Sequence, residues 1–309
     1  MTGRSRAGSA GSGVPTPDPE LRDVGEQGHT RKRVVTHGVP ADEAEAAAIL
    51  IHGRGGSPEG MLTLAGEKPI EGLAWIAPHA DGSTWYPKSF LAPLAENEPW
   101  LSSALEWLEE IVADLGEKGI PPDRIGFVGF SQGACLSTEF VARHPRRYGG
   151  VAALSGGLVG PPGSDFEERF GLDLEGGSGS SSSGSFPSET FPSGAGVGSE
   201  GGSERGSGGR SGRRSGGRSG GQRGERSGGR RGGQRGERRV GPGSLAGTRV
   251  FLGCSDVDPH IPEERVHETA RILKGLGADV DARIYHGMGH TVNEEELAEL
   301  GSMVSALVE

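Results

Sequence analysis

Cysteine is nearly absent: Cys135 and Cys254 are the only two in 309 residues. Two thiols cannot staple a chain of this length, which excludes a disulfide framework and makes a reducing compartment, the cytoplasm, the expected location. Long apolar runs are missing as well. No run of 18 apolar residues occurs, so no membrane-spanning helix is expected. The opening MTGRSRAGSAGSGVPTPDPE has two early arginines but no apolar centre for a secretion signal. Lysine is rare, at 5 of the 32 basic residues.

Charge is divided unevenly along the chain. The net charge is −10, yet residues 201–243 hold 12 Arg, no Lys and 3 Glu. The remainder carries 20 basic against 39 acidic groups. A strongly acidic folded part suits either a surface kept soluble at high salt by self-repulsion or an ordinary acidic cytosolic enzyme. Both readings argue against a core that grips nucleic acid.

Glycine is the abundant residue, with 58 copies crowded into residues 176–243 and the first 30 or so positions. About 200 foldable residues remain, enough for one sizeable core. Residues 1–30 combine Gly, Ser, Pro and charge without periodicity and are expected to be a disordered N-terminal segment. The expected domain is 31–309, interrupted by the Gly/Ser/Arg-rich segment 176–243. That segment repeats GGQRGER at 220–226 and 232–238 and SGGR at 207, 215 and 227. It lacks large apolar side chains, so it reads as an insertion in a surface loop, where closure entropy grows slowly with length.

Outside the insertion, short apolar runs alternate with amphipathic segments. AAAILIHG (46–53), LAWIAP (73–78), RIGFVGF (124–130), GVAALSG (150–156), TRVFLGC (248–254) and DVDARIYHG (279–287) suit parallel strands buried on both faces. LSSALEWLEEIVADLG, GACLSTEFVARHP, IPEERVHETARILKGLG and NEEELAELGSMVSALVE carry helical spacing with Gly or Pro stops, and Asn293 is a candidate cap for the last. This alternation predicts an α/β fold with a doubly wound, mostly parallel sheet and helices on both faces.

One strand ends in GFSQG, residues 129–133. A strand that turns sharply into a helix forces the apex residue into strained backbone and exposes its side chain. Gly129 and Gly133 are then needed because a Cβ at either would meet the neighbouring chain. This is the nucleophile elbow, with Ser131 as candidate nucleophile. A serine hydroxyl needs a base, and the base needs an orienting carboxylate. CSDVDPHIP and GMGH follow the last two strands, in the chain order such a site requires, so their loops converge with Ser131 on one rim. Among the histidines, His290 is favoured over His286 because it follows the flexible GMG and can swing over the rim. His37, His144 and His267 read as surface or helix positions, and His52 and His79 as residues that shape the rim. Asp256 and Asp258 stay equal candidates on position alone. Oxyanion donors are expected at the backbone N–H of Gln132, at the helix start, and of Arg54 in the turn HGRGGS (52–57). No Lys follows that turn, which excludes a phosphate-binding loop.

Together, ILIHGRGGS, GFSQGAC, DVDPHIP and GMGH resemble the phospholipase/carboxylesterase family of α/β-hydrolases, over nearly all of 33–160 and 244–309. The resemblance implies an α/β-hydrolase fold and a serine esterase working through an acyl-enzyme, with an acyl thioesterase as the alternative on the same site. Its D-x-x-[VI]-P pattern points to Asp258, followed by Ile261 and Pro262, as the carboxylate. Its oxyanion donors fall on Arg54 and Gln132. Arg54 stands where the family carries an aliphatic residue and is expected to favour a negatively charged substrate group. PHADGSTWYPKSFLAPLAENEPW (78–100) resembles a region bordering the acyl pocket, which makes Trp85 and Tyr86 candidate lining residues. Cys135 and Cys254 read as packing residues. No metal or organic cofactor is implied. The expected partner is a small-molecule ester or acyl substrate, and a second copy of the chain is a candidate. Nucleic acid is expected only in an alternative reading, through the Arg-Gly repeats of the insertion.

Overall fold

The computed structural model describes residues 28–66, 70–172 and 244–309. The expected N-terminal segment up to residue 27 and the insertion 176–243 lie outside the described residues. Gly28 and His29, grouped by composition with that segment, are buried. His29 is buried at 3% exposure, with its ring 5.0 Å edge-on to Trp100 and 5.5 Å from Trp85. One aromatic anchor does this, and a composition averaged over many residues does not register it.

The strands are β1 (Arg33–Gly38), β2 (Ala46–Ile51), β3 (Leu73–His79), β4 (Ile125–Phe130), β5 (Gly150–Leu154), β6 (Arg249–Ser255) and β7 (Asp279–Tyr285). They form one sheet in the order β1-β3-β2-β4-β5-β6-β7. β1 pairs antiparallel to β3 and every other pairing is parallel. The central runs are apolar without alternation because both sheet faces are covered: all six residues of β2 and all five of β5 are buried. β1 escapes the sequence reading because RVVTHG is an exposed edge strand with a mixed polar pattern.

The helices are α1 (Pro58–Ala65), α2 (Trp100–Glu117), α3 (Gln132–Arg143), α4 (Phe166–Phe170), α5 (Glu263–Gly275) and α6 (Glu294–Ser305). One sheet face packs on α2, α3 and α5 through residues such as Leu108, Phe140 and Ile272. The other face packs on α1 and α6 through Met61, Leu300 and Val304. Caps define the ends that periodicity leaves vague. Ser57 accepts from Gly60 N–H ahead of Pro58, and Asn293 with Glu296 closes a capping box on α6. Such a cap contributes about 1 kcal/mol. α1 and α4 are too short, at 8 and 5 residues, to carry a readable period.

The parallel pairing β2-β4-β5-β6-β7 sends the carboxyl ends of these strands to one rim, and α3 starts at that rim directly after β4. The approach of α3 to β2 is closer than side chains allow. A Cβ on Gly133 would lie 2.0 Å from the Ile51 carbonyl oxygen, and one on Gly129 would lie 2.4 Å from the Gly133 oxygen. In both cases the obstacle is backbone, which cannot swing away.

Gly133→Ala is therefore expected to cost about 3 kcal/mol or more, or to prevent folding. Gly301→Ala, within α6 where an added Cβ meets nothing within 4 Å, is expected to raise stability by about 1 kcal/mol. Urea denaturation of the two variants beside the parent checks both, and a neutral Gly133→Ala would refute the packing argument.

Candidate active site

Ser131 is the junction residue between β4 and α3, with φ 54° and ψ −117°. A non-glycine residue rarely adopts such a backbone, and strain of this kind costs about 1–3 kcal/mol. It is held from both sides: its N–H donates to Leu154 O at 2.9 Å, and its carbonyl accepts from Cys135 N–H at 3.0 Å. Gly53, just beyond β2, leaves room for it, since a Cβ there would stand 3.2 Å from the Ser131 Cβ.

The Ser131 hydroxyl lies 2.9 Å from His290 Nε2, and His290 Nδ1 lies 2.7 Å from Asp258 Oδ2. An ionised carboxylate only accepts, so Nδ1 carries the imidazole proton and Nε2 is left to accept from the serine. Asp258 has no exposed side-chain surface, and its second oxygen accepts from the N–H groups of His260 and Ile261 at 2.8 and 3.1 Å. Burial by itself would raise the pKa of this carboxyl. The hydrogen bonds from His290, His260 and Ile261 outweigh it and hold the group below its ordinary value.

A second Asp–His pair stands on the same strand ends. His286 Nδ1 is 2.7 Å from Asp256 Oδ2, and Gly287 N–H donates to the other oxygen at 2.8 Å. Depth separates the pairs: the His286 side chain is 90% exposed and that of His290 19%. Among the described residues, the Ser131 hydroxyl hydrogen-bonds to His290 and not to His286.

The backbone N–H of Gln132 opens α3, where the helix dipole favours negative charge. The Arg54 amide lies in the turn after β2. His52 braces that turn. Its Nε2 accepts from Ala80 N–H at 3.1 Å, which puts the ring proton on Nδ1, and Nδ1 donates to Gly53 O at 2.7 Å. Burial, partly offset by the Gly53 hydrogen bond, lowers the His52 pKa to about 4.

A cavity of about 620 Å³ opens beside Ser131, with Tyr86, Phe90, Phe130, Cys135 and Ile261 among its walls. Trp85 is a correction. It is fully buried away from this cavity, donates its indole N–H to His52 O at 2.8 Å, and packs against His29 and Trp107. Adjacent residues of an extended loop point opposite ways, so Tyr86 meets the cavity and Trp85 the core. Cys135 and Cys254 are both buried, and burial raises their thiol pKa values to about 11 and about 12.

Three polar anchors of the loop 84–97 carry no sequence signal. The Gln132 side chain accepts from Trp85 N–H at 2.9 Å and donates to Tyr86 O at 2.8 Å. Arg54 donates to the carbonyls of Tyr86, Pro87 and Lys88 at 2.7 to 3.1 Å, so its guanidinium braces the wall of the cavity. Asn97 takes Lys88 N–H and gives to Ser89 O. Gln132 and Arg54 are set by chain-distant partners, and Asn97 by backbone eight and nine residues away within the same loop.

A mostly parallel sheet with a serine elbow at the end of its fourth strand defines the α/β-hydrolase fold. Residues 32–169 match the family described as Phospholipase/Carboxylesterase. A crystal structure of phospholipase/carboxylesterase from Dyadobacter fermentans DSM 18053 superimposes with a TM-score of 0.62 at 28% identity, covering 90% of this chain and 97% of that one. NocK of Nocardia uniformis subsp. tsuyamanensis is 29% identical over 150 residues, 46% of this chain and 42% of its own. Acyl-protein thioesterase 1 of Cryptococcus neoformans var. neoformans serotype D is 30% identical over 133 residues, 38% of this chain and 56% of its own. The chain thus spans about half the length of the curated relatives it matches.

Two titrations follow. His52 has a depressed folded pKa, so its contribution is complete above the unfolded value of 6.5 and is lost as pH falls toward about 4. The loss is expected to reach about 3 kcal/mol, and an NMR titration of the ring that finds His52 protonated near pH 6.5 would contradict it. His286 is raised above 6.5, by its hydrogen bond to Asp256 and then by the charge of that carboxylate. In Asp256→Asn its NMR midpoint is expected to fall toward 6.5.

Proposed function

We propose that this chain hydrolyses carboxylic esters of small molecules through Ser131, His290 and Asp258. The observation that carries the reading is the continuous hydrogen-bond path, 2.9 Å from Ser131 Oγ to His290 Nε2 and 2.7 Å from His290 Nδ1 to Asp258 Oδ2, at the wall of a cavity.

In this reading Ser131 Oγ attacks the ester carbonyl carbon while His290 Nε2 takes the hydroxyl proton. The carbonyl oxygen becomes an oxyanion, received by the backbone N–H groups of Gln132 and Arg54. Asp258 stays ionised and stabilises the imidazolium. The carbon–oxygen bond to the alcohol then breaks, and His290 returns its proton to the departing oxygen. Water, deprotonated by His290, attacks the Ser131 acyl ester; the bond from the acyl carbon to Ser131 Oγ breaks, His290 returns the proton to Oγ, and the acid leaves. Every proton taken is given back, and no carbon changes oxidation state.

The depth of the His290–Asp258 pair favours it over His286–Asp256, because a proton relay works best where water does not compete for the base. The thioester reading uses the same atoms with sulfur as the leaving atom, and relatives named acyl-protein thioesterase 1 favour it. Comparison of an acyl thioester with the matching oxygen ester separates the two.

Hydrolysis of p-nitrophenyl acetate and butyrate by the purified chain is the direct test. Ser131→Ala is expected to lower kcat by at least about 10⁴-fold, and Asp258→Asn by about 10⁴-fold. His286→Ala is expected to stay within about twofold of the parent, because its partner lies outside the relay. Equal rates for the parent and Ser131→Ala would end the proposal.

A further inference from the structure

The cavity beside Ser131 reverses the charge of the chain around it. The whole sequence carries 42 acidic against 32 basic residues, yet the cavity lining holds Arg54 and Lys88 and no Asp or Glu. The Arg54 guanidinium is fixed on three carbonyl oxygens and has no carboxylate partner among the described residues, so its charge is oriented but not neutralised there. The Lys88 ammonium has no hydrogen bond or ion pair among the described residues, while its backbone N–H is pinned to Asn97. Two exposed cations without a carboxylate partner among the described residues bias the potential at the cavity mouth toward positive. Deeper in, Tyr86 is 1% exposed, and its buried hydroxyl has no hydrogen-bond partner among the described residues. It lies beside the Cys135 thiol.

Two cavities flank the serine and share Gly53, Arg54, Phe130 and His290. Lys88, Gln132 and Cys135 line the first and not the second, the last two from the first turn of α3, where an oxyanion donor is proposed. Thr291 and Val292 line the second and not the first. Phe90, Phe130 and Ile261 supply apolar wall for a short methylene spacer.

We infer that the acyl limb carries an anionic group at its far end, as in a half-ester of a short dicarboxylic acid, recognised by Lys88 with the fixed charge of Arg54. This rests on the esterase reading above. Ester cleavage is unchanged in its chemistry, since the second carboxylate is a recognition element and takes no part in bond making. The released product is then a dicarboxylate.

The test pairs monomethyl succinate, glutarate and adipate with methyl butanoate, pentanoate and hexanoate, which match them in acyl length, following base uptake at constant pH. At least one half-ester is expected to exceed its neutral counterpart in kcat/KM by about tenfold, with the preference shrinking as salt screens the charges. Lys88→Met is expected to reduce that preference about tenfold, and Lys88→Arg to keep most of it. A preference for the neutral esters, or a preference indifferent to Lys88→Met, overturns this inference while leaving ester hydrolysis intact. Failure to cleave any of the six esters, together with no p-nitrophenyl butyrate hydrolysis, overturns the esterase reading and this inference with it.

Discussion

The contact on which the rest of the structure leans is backbone against backbone, where the first turn of α3 lies on the end of β2 at Gly133 and Ile51. No side chain fits between them, and that closeness compels the chain to reverse direction within one residue. The reversal leaves Ser131 at φ 54°, a conformation kept only because the Leu154 oxygen and the Cys135 amide hold its peptide groups. From this one constraint follow the projection of the hydroxyl toward His290 and the place of Gln132 next to it at the start of α3. A looser turn would let the serine relax into ordinary helical geometry, and both would be lost.

Around that turn, polar side chains do work that apolar packing does elsewhere. Gln132, Arg54, Asn97 and His52 each bond to backbone of the loops that wall the cavity. Loops carry backbone groups that no ladder satisfies, so a buried loop needs such partners or pays in desolvation. The consequence for chemistry is a cavity whose walls are positioned as firmly as strands, with Tyr86 turned inward by the same bonds that turn Trp85 toward the core. His29 extends this bracing to the start of the described chain, through Trp85 O and the Asp81 N–H.

Two Asp–His pairs on adjacent strand ends make burial the deciding variable. Their hydrogen-bond lengths are equal at 2.7 Å, so pair geometry does not distinguish them. Asp258 and His290 sit beneath the rim with Phe130 and His260 against the imidazole, whereas Asp256 and His286 face solvent. Water competes for an exposed imidazole and screens its carboxylate, which is why the proposed relay runs through the deeper pair.

Local chemistry was legible in the amino-acid order. Apolar runs without alternation determined the central strands buried on both faces, while DVDARIY forms the partly exposed edge strand β7; GFSQG determined a tight strand-to-helix turn, and DPHIP and GMGH marked loops at the ends of β6 and β7. These features depend on neighbours a few residues away, and so a single sequence contains them. What depends on chain-distant partners was decided by tertiary structure alone. The depth that separates His290 from His286, the turning of Trp85 into the core, the capture of the Arg54 guanidinium by three carbonyls and the anchoring of His29 all arise where loops meet across the fold. Such meetings are set by the packing of the sheet and its helices, which fixes distances that no residue pattern along the chain encodes.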